Sequence, residues 1–324
     1  MSEYNWACIG CGHIANEMAQ AMAQTGMSFR GVYSRTRENA ESFAAKYGIK
    51  KVYPSADALF ADEKVDIVYI ATPHNRHIDY IIKAAEHGKH VLCEKAITLN
   101  SAELSRATEA CEKHHVVLAE AMTLYHMPVY EKVNKYIKNG SLGKLKMIEV
   151  NLGSNKDYDL KNRFFNPELA GGAMLDIGVY ALSFMRYFMS EKPSVLKSFV
   201  KLAPTGVDEQ EILLLSNEQG EMASVTLSLT AKLPRIALAS FENGYVSFDN
   251  YNRSRRAEIT FLNGEEPIVI TSDPRPSALV YEIENMEKAV DGDRGKAFLN
   301  YTADVMDIMT KARDNWGVFY PEEK

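Results

Sequence analysis

Two pairs of residues have the types and the spacing for proton transfer. Glu94 and Lys95 follow an apolar run at 90–93, and Asp176 and Tyr180 lie four residues apart in "GGAMLDIGVY". Residues four apart on a helix share a face, and a carboxylate and a phenol in an apolar helix need polar partners if they are buried. A lysine would suit both, because an ammonium favours the phenolate and lowers a tyrosine pKa from its usual value of about 10. We therefore expect these residues to be able to do acid–base chemistry.

A glycine pattern near the N-terminus predicts a dinucleotide site. Gly10, Gly12 and Ala15 form G-x-G-x-x-A between an apolar run and an amphipathic segment. In a strand–turn–helix unit the first glycine permits the tight turn, the second lets the backbone approach the phosphates, and the small third residue keeps helix and strand close. The first-turn amides, which include those of His13 and Ile14, would face the pyrophosphate with the help of the helix dipole.

The same stretch contains a C-x-x-C pair, Cys8 and Cys11, which suggests a redox dithiol or half of a zinc site. A thioredoxin-like motif needs its cysteines at a helix start. A zinc site needs a second pair, and Cys93 and Cys111 are not spaced as one. We therefore expect no chemical role for this pair.

The end of the second predicted strand indicates which dinucleotide binds. An NAD site usually has Asp or Glu there, about 20 residues past the glycines, to hold the ribose 2′-hydroxyl. Here the chain has Ser34 followed by Arg35, in "GVYSRTRE". A hydroxyl and a guanidinium suit a 2′-phosphate, because arginine offers fixed donors and a permanent charge. The pattern favours NADP over NAD, although solvated loop residues would look the same.

The first 120 residues alternate short apolar runs with amphipathic segments. Strands are predicted at 6–10, 29–34, 65–71, 90–93 and 116–119, and helices at 13–24, 39–47, 77–87 and 102–115. This alternation with short connections is typical of a doubly wound parallel sheet. We expect an α/β, NAD(P)-binding domain over residues 1–120.

The rhythm changes beyond residue 120. Helices are predicted at 127–139 and 172–189 and near 277–290 and 302–315, with a strand at 144–152 and several strands between 194 and 270. The run "ASVTLSL" at 223–229 alternates apolar and polar residues, as in a sheet with one buried and one open face. We expect an α+β domain over residues 121–324 with a large open, predominantly antiparallel sheet.

Length and composition exclude several classes of function. A chain of 324 residues suggests about two domains. The net charge of −6 and the lack of a long basic block argue against nucleic-acid and membrane-surface partners. We see no apolar run of the 18–20 residues or so that a membrane span needs and no signal-peptide pattern. Four cysteines in this length indicate reduced thiols in a cytoplasmic protein.

The ordered motifs resemble the Gfo/Idh/MocA oxidoreductase family over essentially the whole chain. They are G-x-G-x-x-A, "ATPHNRH", "EKA" and "GGAMLDIGVY". "YSR", "NPELAGG" and "DIGVY" are most similar to the branch that contains dimeric dihydrodiol dehydrogenase and NADP-dependent D-xylose 1-dehydrogenase. The resemblance implies a Rossmann domain and a mixed-sheet domain that binds substrate and pairs subunits through its sheet, as a homodimer or homotetramer. It also implies hydride transfer between the nicotinamide and a carbon bearing a hydroxyl in a sugar, polyol or cyclic diol.

The resemblance also assigns catalytic roles. Lys95 matches the motif lysine that lies near the nicotinamide and the substrate hydroxyl, and Tyr180 matches the proton donor or acceptor. Asp176 matches the carboxylate that orients the substrate or the lysine. We expect Lys95 and Tyr180 to titrate as a coupled unit, so that naming one base is provisional.

Further residues are expected at the cofactor. The resemblance implies that Thr72, Pro73, His74 and His77 form a loop along the nicotinamide ribose. Glu94 is expected to point toward the nicotinamide end of the cleft, because ligand groups come from the carboxyl ends of parallel strands. The two histidines could instead be cap or surface residues. With Glu94 they mimic metal ligands, but cofactor placement explains them better, and we predict no metal site.

Arg163 lies just ahead of the Asp176 helix, in "NRFFNPELAGG". We expect it either to reach the cofactor or substrate or to be an ordinary surface arginine.

One residue departs from the family pattern. The usual motif is Glu-Lys-Pro, with the Lys–Pro bond often cis, and here Ala96 replaces the proline. A cis bond costs about 3–4 kcal/mol before a non-proline residue, against about 0.5–1 kcal/mol before proline. We therefore expect a trans Lys95–Ala96 bond, which leaves the exact role of Lys95 open.

Two other functions compete with an NADP-dependent dehydrogenase. One is a non-catalytic NADP-binding sensor or corepressor on the same fold, which would have no need of Lys95, Asp176 and Tyr180 together. The other is an NAD-dependent glycosidase, or an enzyme that recycles a tightly held cofactor. Fold and cofactor do not identify the substrate.

Overall fold

The computed structural model describes residues 4–272, 275 and 277–324. It separates into two compact units, of which the first is Met1–Met122 with Arg275–Leu299 and the second is Thr123–Pro274 with Asn300–Lys324. The first junction lies two residues from the predicted boundary at 120. The return of 275–299 to the first unit differs from the predicted division, because the helix in this segment packs on the first helix of the chain.

The elements of the described residues are given in chain order. The strands are β1 Trp6–Ile9, β2 Gly31–Tyr33, β3 Lys51–Val52, β4 Ile67–Ile70, β5 His90–Glu94, β6 Leu118–Ala121, β7 Leu145–Ser154, β8 Ser194–Leu202, β9 Asp208–Ser216, β10 Met222–Ser228, β11 Lys232–Leu233, β12 Ile236–Phe241, β13 Gly244–Asp249, β14 Arg256–Phe261 and β15 Ile268–Thr271. The α-helices are α1 His13–Gln24, α2 Arg37–Tyr47, α3 Ala56–Phe60, α4 His77–Glu86, α5 Ser101–Lys113, α6 Thr123–His126, α7 Pro128–Lys138, α8 Val179–Phe188, α9 Leu279–Val290 and α10 Leu299–Trp316.

The first unit contains a six-stranded sheet in the order β3-β2-β1-β4-β5-β6, and all of its pairings are parallel. The residues of β1 and β4 are buried throughout, as expected when helices cover both faces of a parallel sheet. The strand order reverses between β1 and β4, which is the point where such sheets bind ligands at the carboxyl ends of their strands. The predicted doubly wound sheet is confirmed.

Two short elements of this unit were not predicted. The strand β3 has two residues and α3 has five, too few for a hydrophobic period to show. The side chain of Ser55 accepts a hydrogen bond from the Ala58 amide and caps α3. A serine before an apolar run is the signal that could have located this helix.

The second unit is built on a nine-stranded mixed sheet in the order β15-β14-β13-β12-β7-β10-β9-β8, with β11 paired to β7. The central pair β7 and β10 is parallel and the other pairings are antiparallel. On β10, Ala223, Val225 and Leu227 are buried whereas Ser224 and Thr226 are partly exposed. The predicted open, predominantly antiparallel sheet is confirmed.

The apolar segment that carries Asp176 and Tyr180 is not a uniform helix. Residues Met174–Gly178 are π-helical, and α8 follows without a break. The stretch Pro167–Phe188 is long and apolar enough to cross a membrane by length and composition, which the sequence expectation overlooked. Because 78% of its apolar window is buried inside the protein, it has the character of a core helix.

Candidate functional site

The turn between β1 and α1 has the form that a dinucleotide cradle requires. Gly10 has φ +102°, and a Cβ there would lie 2.3 Å from the Ala71 carbonyl oxygen, so only glycine fits. A Cβ on Gly12 would meet nothing within 4 Å. Gly12 is the N-cap of α1 and has no side chain that could cap the helix. The first-turn amides of α1 are thus left for a ligand, as a pyrophosphate would need.

The two predicted first-turn residues differ in placement. The His13 side chain is 91% exposed, and its Nε2 lies 3.0 Å from Glu17 Oε1 on the same helix. Ile14 is partly buried against the apolar core of the first unit. Only their backbone amides are therefore candidates for cofactor contact.

The C-x-x-C cysteines lie in different surroundings. Cys8 is fully buried in β1, and its Sγ donates to the Gly10 carbonyl at 3.1 Å. Burial raises the pKa of the Cys8 thiol well above its usual range and raises the pKa of Cys11 to about 11. Both groups are therefore neutral thiols near pH 7, which supports the prediction that the pair has no redox role.

The residues predicted to select the cofactor follow β2. Ser34 is half-buried and lies close enough to Cys11 of the glycine turn to act on the pKa of that thiol. Arg35 is exposed. Two residues further on, Arg37 Nε lies 2.7 Å from Glu41 Oε1 on α2. Ser34 and Arg35 thus follow the carboxyl end of β2, next to the dinucleotide turn.

The loop after β4 contains both accessible and enclosed residues. Pro73 is exposed, His74 is nearly buried, and Thr72 Oγ1 is buried without a hydrogen-bond partner among the described residues. An unsatisfied buried hydroxyl is costly, and a ligand hydroxyl or amide beside it would remove that cost. This part of the loop fits the predicted contact with a cofactor.

His77 lies deeper than predicted. It is fully buried, with Nε2 2.8 Å from the Thr72 carbonyl oxygen and Nδ1 3.0 Å from the Ala96 carbonyl oxygen. Burial lowers its pKa, so the ring is neutral near pH 7 and has one N–H to donate. Its contacts link the loop after β4 to the loop after β5 and leave no ring edge at the surface for a ribose.

Glu94 is also turned inward, whereas Lys95 is partly exposed. The Tyr69 hydroxyl of β4 donates to Glu94 Oε1 at 2.5 Å, and the Lys95 amide donates to Oε2 at 3.3 Å. Both carboxylate oxygens of Glu94 therefore accept hydrogen bonds from groups of the first unit. Glu94 is 8% exposed, and its contact with the nicotinamide stays a prediction.

The Lys95–Ala96 bond is cis, so the expectation of a trans bond is wrong. The backbone on its C-terminal side is fixed by buried hydrogen bonds. Ile97 N donates to Glu120 Oε1 at 3.1 Å, and Leu99 N donates to Glu103 Oε2 at 3.0 Å. The expectation counted only the cost of the bond and omitted these contacts, which hold the loop that presents Lys95.

In the second unit, Asp176 and Tyr180 reach the surface from an otherwise buried segment. Asp176 is 13% exposed in its side chain and Tyr180 is partly exposed, whereas Leu175, Ile177 and Val179 are buried. A π-helical turn widens the helix locally and is frequent at functional sites. The two polar groups thus share the one accessible face, as their spacing predicts.

Arg163 is placed on Asp176. Its Nη2 lies 3.1 Å from Asp176 Oδ1, and its guanidinium lies 4.7 Å from the centre of the Phe164 ring. The Arg163 side chain is 59% exposed, so the pair is accessible to a ligand. Arg163 is therefore more than an isolated surface arginine, because it is paired with Asp176. Its contacts within this unit do not assign it to a cofactor.

Sequence reasoning overlooked the carboxylates that hold these loops. Glu103 and Glu120 accept from the loop that follows Lys95, and Asp208 Oδ2 accepts from the Met174 amide at 2.6 Å. The signal that could have revealed Glu120 and Asp208 is an acid at a buried strand position, in "LAEA" and "DEQE", because buried acids require donors. In the part of the chain that the structure describes, no group of three or more His, Cys, Asp or Glu side chains could hold a metal ion.

Comparison with known proteins identifies the family of both units. Residues 4–122 match the oxidoreductase family with an NAD-binding Rossmann fold, and residues 130–260 match the GFO/IDH/MocA C-terminal domain. The chain is 30% identical to D-xylose 1-dehydrogenase (NADP(+)) of Hypocrea jecorina, over 84% of this chain and 78% of the relative. It is 28% identical to trans-1,2-dihydrobenzene-1,2-diol dehydrogenase of Xenopus laevis, over 98% and 99%. The fold is similar to that of KijD10, a 3-ketoreductase from Actinomadura kijaniata, with a TM-score of 0.85, 20% identity and coverage of 97% and 98%. The chain therefore belongs to the Gfo/Idh/MocA family of oxidoreductases.

Proposed function

We propose that the protein is an NADP-dependent dehydrogenase that transfers a hydride between NADP(H) and the CH–OH or C=O group of a sugar, polyol or cyclic diol. The observation that carries the proposal is the accessible carboxylate–phenol pair Asp176 and Tyr180 on a segment whose other residues are buried. A carboxylate and a phenol on one accessible face can exchange a proton with a substrate hydroxyl, which is the proton transfer that alcohol oxidation needs. The names of the relatives supply the substrate class.

The cofactor would be held by groups of the first unit. Gly10, Gly12 and the first-turn amides of α1 fit the pyrophosphate, and Ser34 with Arg35 fits a 2′-phosphate. The buried Thr72 hydroxyl, with Pro73 and His74, fits the nicotinamide ribose. When bound, the nicotinamide accepts or gives the hydride.

The protein's own residues manage the proton. We assign Tyr180 as the group that takes the substrate hydroxyl proton during oxidation and returns it during reduction. The Lys95 ammonium favours the phenolate and so makes the tyrosine a better base. Asp176, held by Arg163 at 3.1 Å, orients the substrate hydroxyl or the lysine.

A titration and an activity panel separate this proposal from its alternatives. NADPH and NADH are titrated by fluorescence, and sugars, polyols and diols are then tested with NADP⁺ at the nicotinamide absorption band. A dehydrogenase reduces NADP⁺ with at least one of these three classes of compound. A sensor binds the cofactor and turns over nothing, and a glycosidase or cofactor-recycling enzyme co-purifies with its dinucleotide.

Arg35→Ala tests the choice of cofactor. We expect NADPH to bind about 10- to 100-fold more weakly, because charged hydrogen bonds are worth about 1.5–3 kcal/mol, whereas NADH affinity should not change. The measurement is the Kd of each cofactor by fluorescence. Arg37→Ala is the matched control, since this neighbouring arginine is paired with Glu41. An equal loss for NADH and NADPH would contradict the role of Arg35.

We also propose that the chain forms a homodimer or homotetramer through the open face of its nine-stranded sheet. Large apolar side chains are exposed on adjacent strands of this sheet, with Phe199 69% exposed. The others are Met147, Ile212, Leu214, Met222, Ile236 and Tyr245. A contiguous exposed apolar patch of this kind indicates a protein interface, and a second copy presents the same patch.

Ile212→Glu tests this interface. A charge in the centre of an apolar interface is desolvated without a partner, so we expect the variant to be monomeric by light scattering at concentrations where the parent protein associates. Val269→Glu is the control, because Val269 is an exposed apolar residue of β15, at the far edge of the sheet. A parent protein that is monomeric at micromolar concentration would refute the proposal.

The reduced state of the thiols agrees with a cytoplasmic location, which we also propose.

A further inference from the structure

We propose that Asp208 and Tyr320 are positioning residues that fix the start of the segment carrying Asp176 and Tyr180. The inference rests on the catalytic roles proposed for that pair. It adds two parts of the chain to the site. These are Asp208, the first residue of β9, and the C-terminal tail, residues 317–324, which follows α10.

The segment starts at a tight contact between a glycine turn and β9. Gly172 has φ +124°, and a Cβ there would lie 2.5 Å from Asp208 Oδ1. A residue with a side chain would be strained in its backbone and would collide with the carboxylate. The backbone of the turn therefore lies directly against Asp208.

Asp208 caps the π-helical turn from outside. Its Oδ2 accepts from the Met174 amide at 2.6 Å, two residues before Asp176. The first amides of a helix lack partners within the helix, and a negative charge is favoured beside them. A fully buried carboxylate at this point fixes where the first turn begins.

The tail holds the other side of the same turn. The Tyr320 hydroxyl donates to the Gly171 carbonyl oxygen at 2.7 Å, and Tyr320 is fully buried. The Arg313 guanidinium lies 4.7 Å from the centre of the Tyr320 ring and holds Glu323 through two contacts of 2.8 and 2.9 Å. The tail is thereby anchored, and only residues 172 and 173 lie between Gly171, held by Tyr320, and Met174, held by Asp208.

A second acid, Glu211, lies beside Asp208. Glu211 is nearly fully buried, and burial together with Asp208 raises its pKa well above its usual range. In the described ranges, Asp208 Oδ1 and both Glu211 oxygens lack a hydrogen bond of ordinary geometry. Such an arrangement is costly for stability alone. A buried acid that accepts from the Met174 amide at the start of the proposed catalytic segment is what a positioning role requires.

The test compares Asp208→Ala and Asp208→Asn. Misplacement of a catalytic group by about 1 Å can cost about 100-fold, so we expect Asp208→Ala to lower kcat by about 10- to 100-fold with an unchanged Kd for NADPH. Asp208→Asn keeps an oxygen for the Met174 amide and should recover most of the loss. Tyr320→Phe, which removes only the bond to Gly171, should lower kcat by a smaller factor and serves if Asp208→Ala does not fold.

Glu221→Ala is the matched control. Glu221 is also a buried carboxylate, and its Oε2 accepts from the Ser190 amide at 2.9 Å, just beyond the other end of α8. We expect Glu221→Ala to lose stability in thermal unfolding without a change in kcat. An equal fall of kcat in Glu221→Ala and Asp208→Ala would overturn the proposal, because the effect would then be one of general stability.

A double variant separates this inference from the proposed function. In a Tyr180→Phe background, Asp208→Ala should lower kcat by a smaller factor than it does alone, because part of its effect acts through Tyr180. If Tyr180→Phe is itself fully active, the proposed function fails. If Tyr180→Phe is impaired and Asp208→Ala adds its full effect to it, or has no effect in either background, only the positioning inference fails.

Discussion

Tyr180→Phe is expected to lower kcat by about 10²–10⁴-fold, the usual range for a lost general acid or base. Phenylalanine keeps the aromatic ring and removes only the hydroxyl. The measurement is NADP⁺ reduction with the best substrate of the panel, together with the Kd of NADPH, which should not change.

Tyr187→Phe is the control for this variant. Tyr187 lies on the same helix, and its hydroxyl accepts from Asn134 Nδ2 at 2.9 Å. Loss of that bond should cost about 1 kcal/mol of unfolding free energy and leave kcat unchanged. Full activity of Tyr180→Phe with the substrate turned over by the parent protein would remove Tyr180 from the proton-transfer step.

Lys95→Met is the second variant with a large expected effect. Methionine fills a similar volume without the ammonium, so we expect kcat to fall by about 10²–10⁴-fold. For alcohol oxidation, the ascending limb of the pH profile, where Tyr180 loses its proton, should move to higher pH. The shift follows because an ammonium favours the ionised form of a neighbouring phenol. The measurement is kcat/KM across the alkaline range.

The double variant Lys95→Met with Tyr180→Phe shows whether the two groups work together. When two residues act as one unit, replacing both lowers kcat little more than replacing either one. We therefore expect the double variant to have about the same kcat as the less active of the two single variants. Lys83→Met is the control for loss of a lysine charge, because Lys83 is a half-exposed residue of α4 paired with Asp57 at 3.0 Å. Multiplicative losses would indicate that Lys95 and Tyr180 serve separate steps.

The parts of the structure that depend on local pattern could be predicted from the sequence. The strand–helix alternation, the turn at Gly10 and the shared face of Asp176 and Tyr180 each follow from short-range spacing. These features need only the two periodicities of regular backbone and the special conformations of glycine.

The parts that depend on long-range contacts could not be predicted. Glu94 is turned inward by Tyr69, which is 25 residues away in sequence, and the inward position of His77 depends on two carbonyl groups of separate loops. The cap on Met174 comes from Asp208, 34 residues further on. A single sequence shows that a buried acid needs a donor, but it does not show which amide supplies it.

The return of Arg275–Leu299 to the first unit has a consequence for synthesis on the ribosome. Trp6 Nε1 donates to Glu287 Oε1 at 3.1 Å, and α9 supplies Leu279, Ile283 and Met286 to the same apolar core as β1 and α1. Residues 1–122 of the first unit are therefore translated first, but their apolar core is completed only when residues 275–299 have been translated. Nascent chains halted after residue 122 should be sensitive to proteases, whereas release beyond residue 299 should protect them.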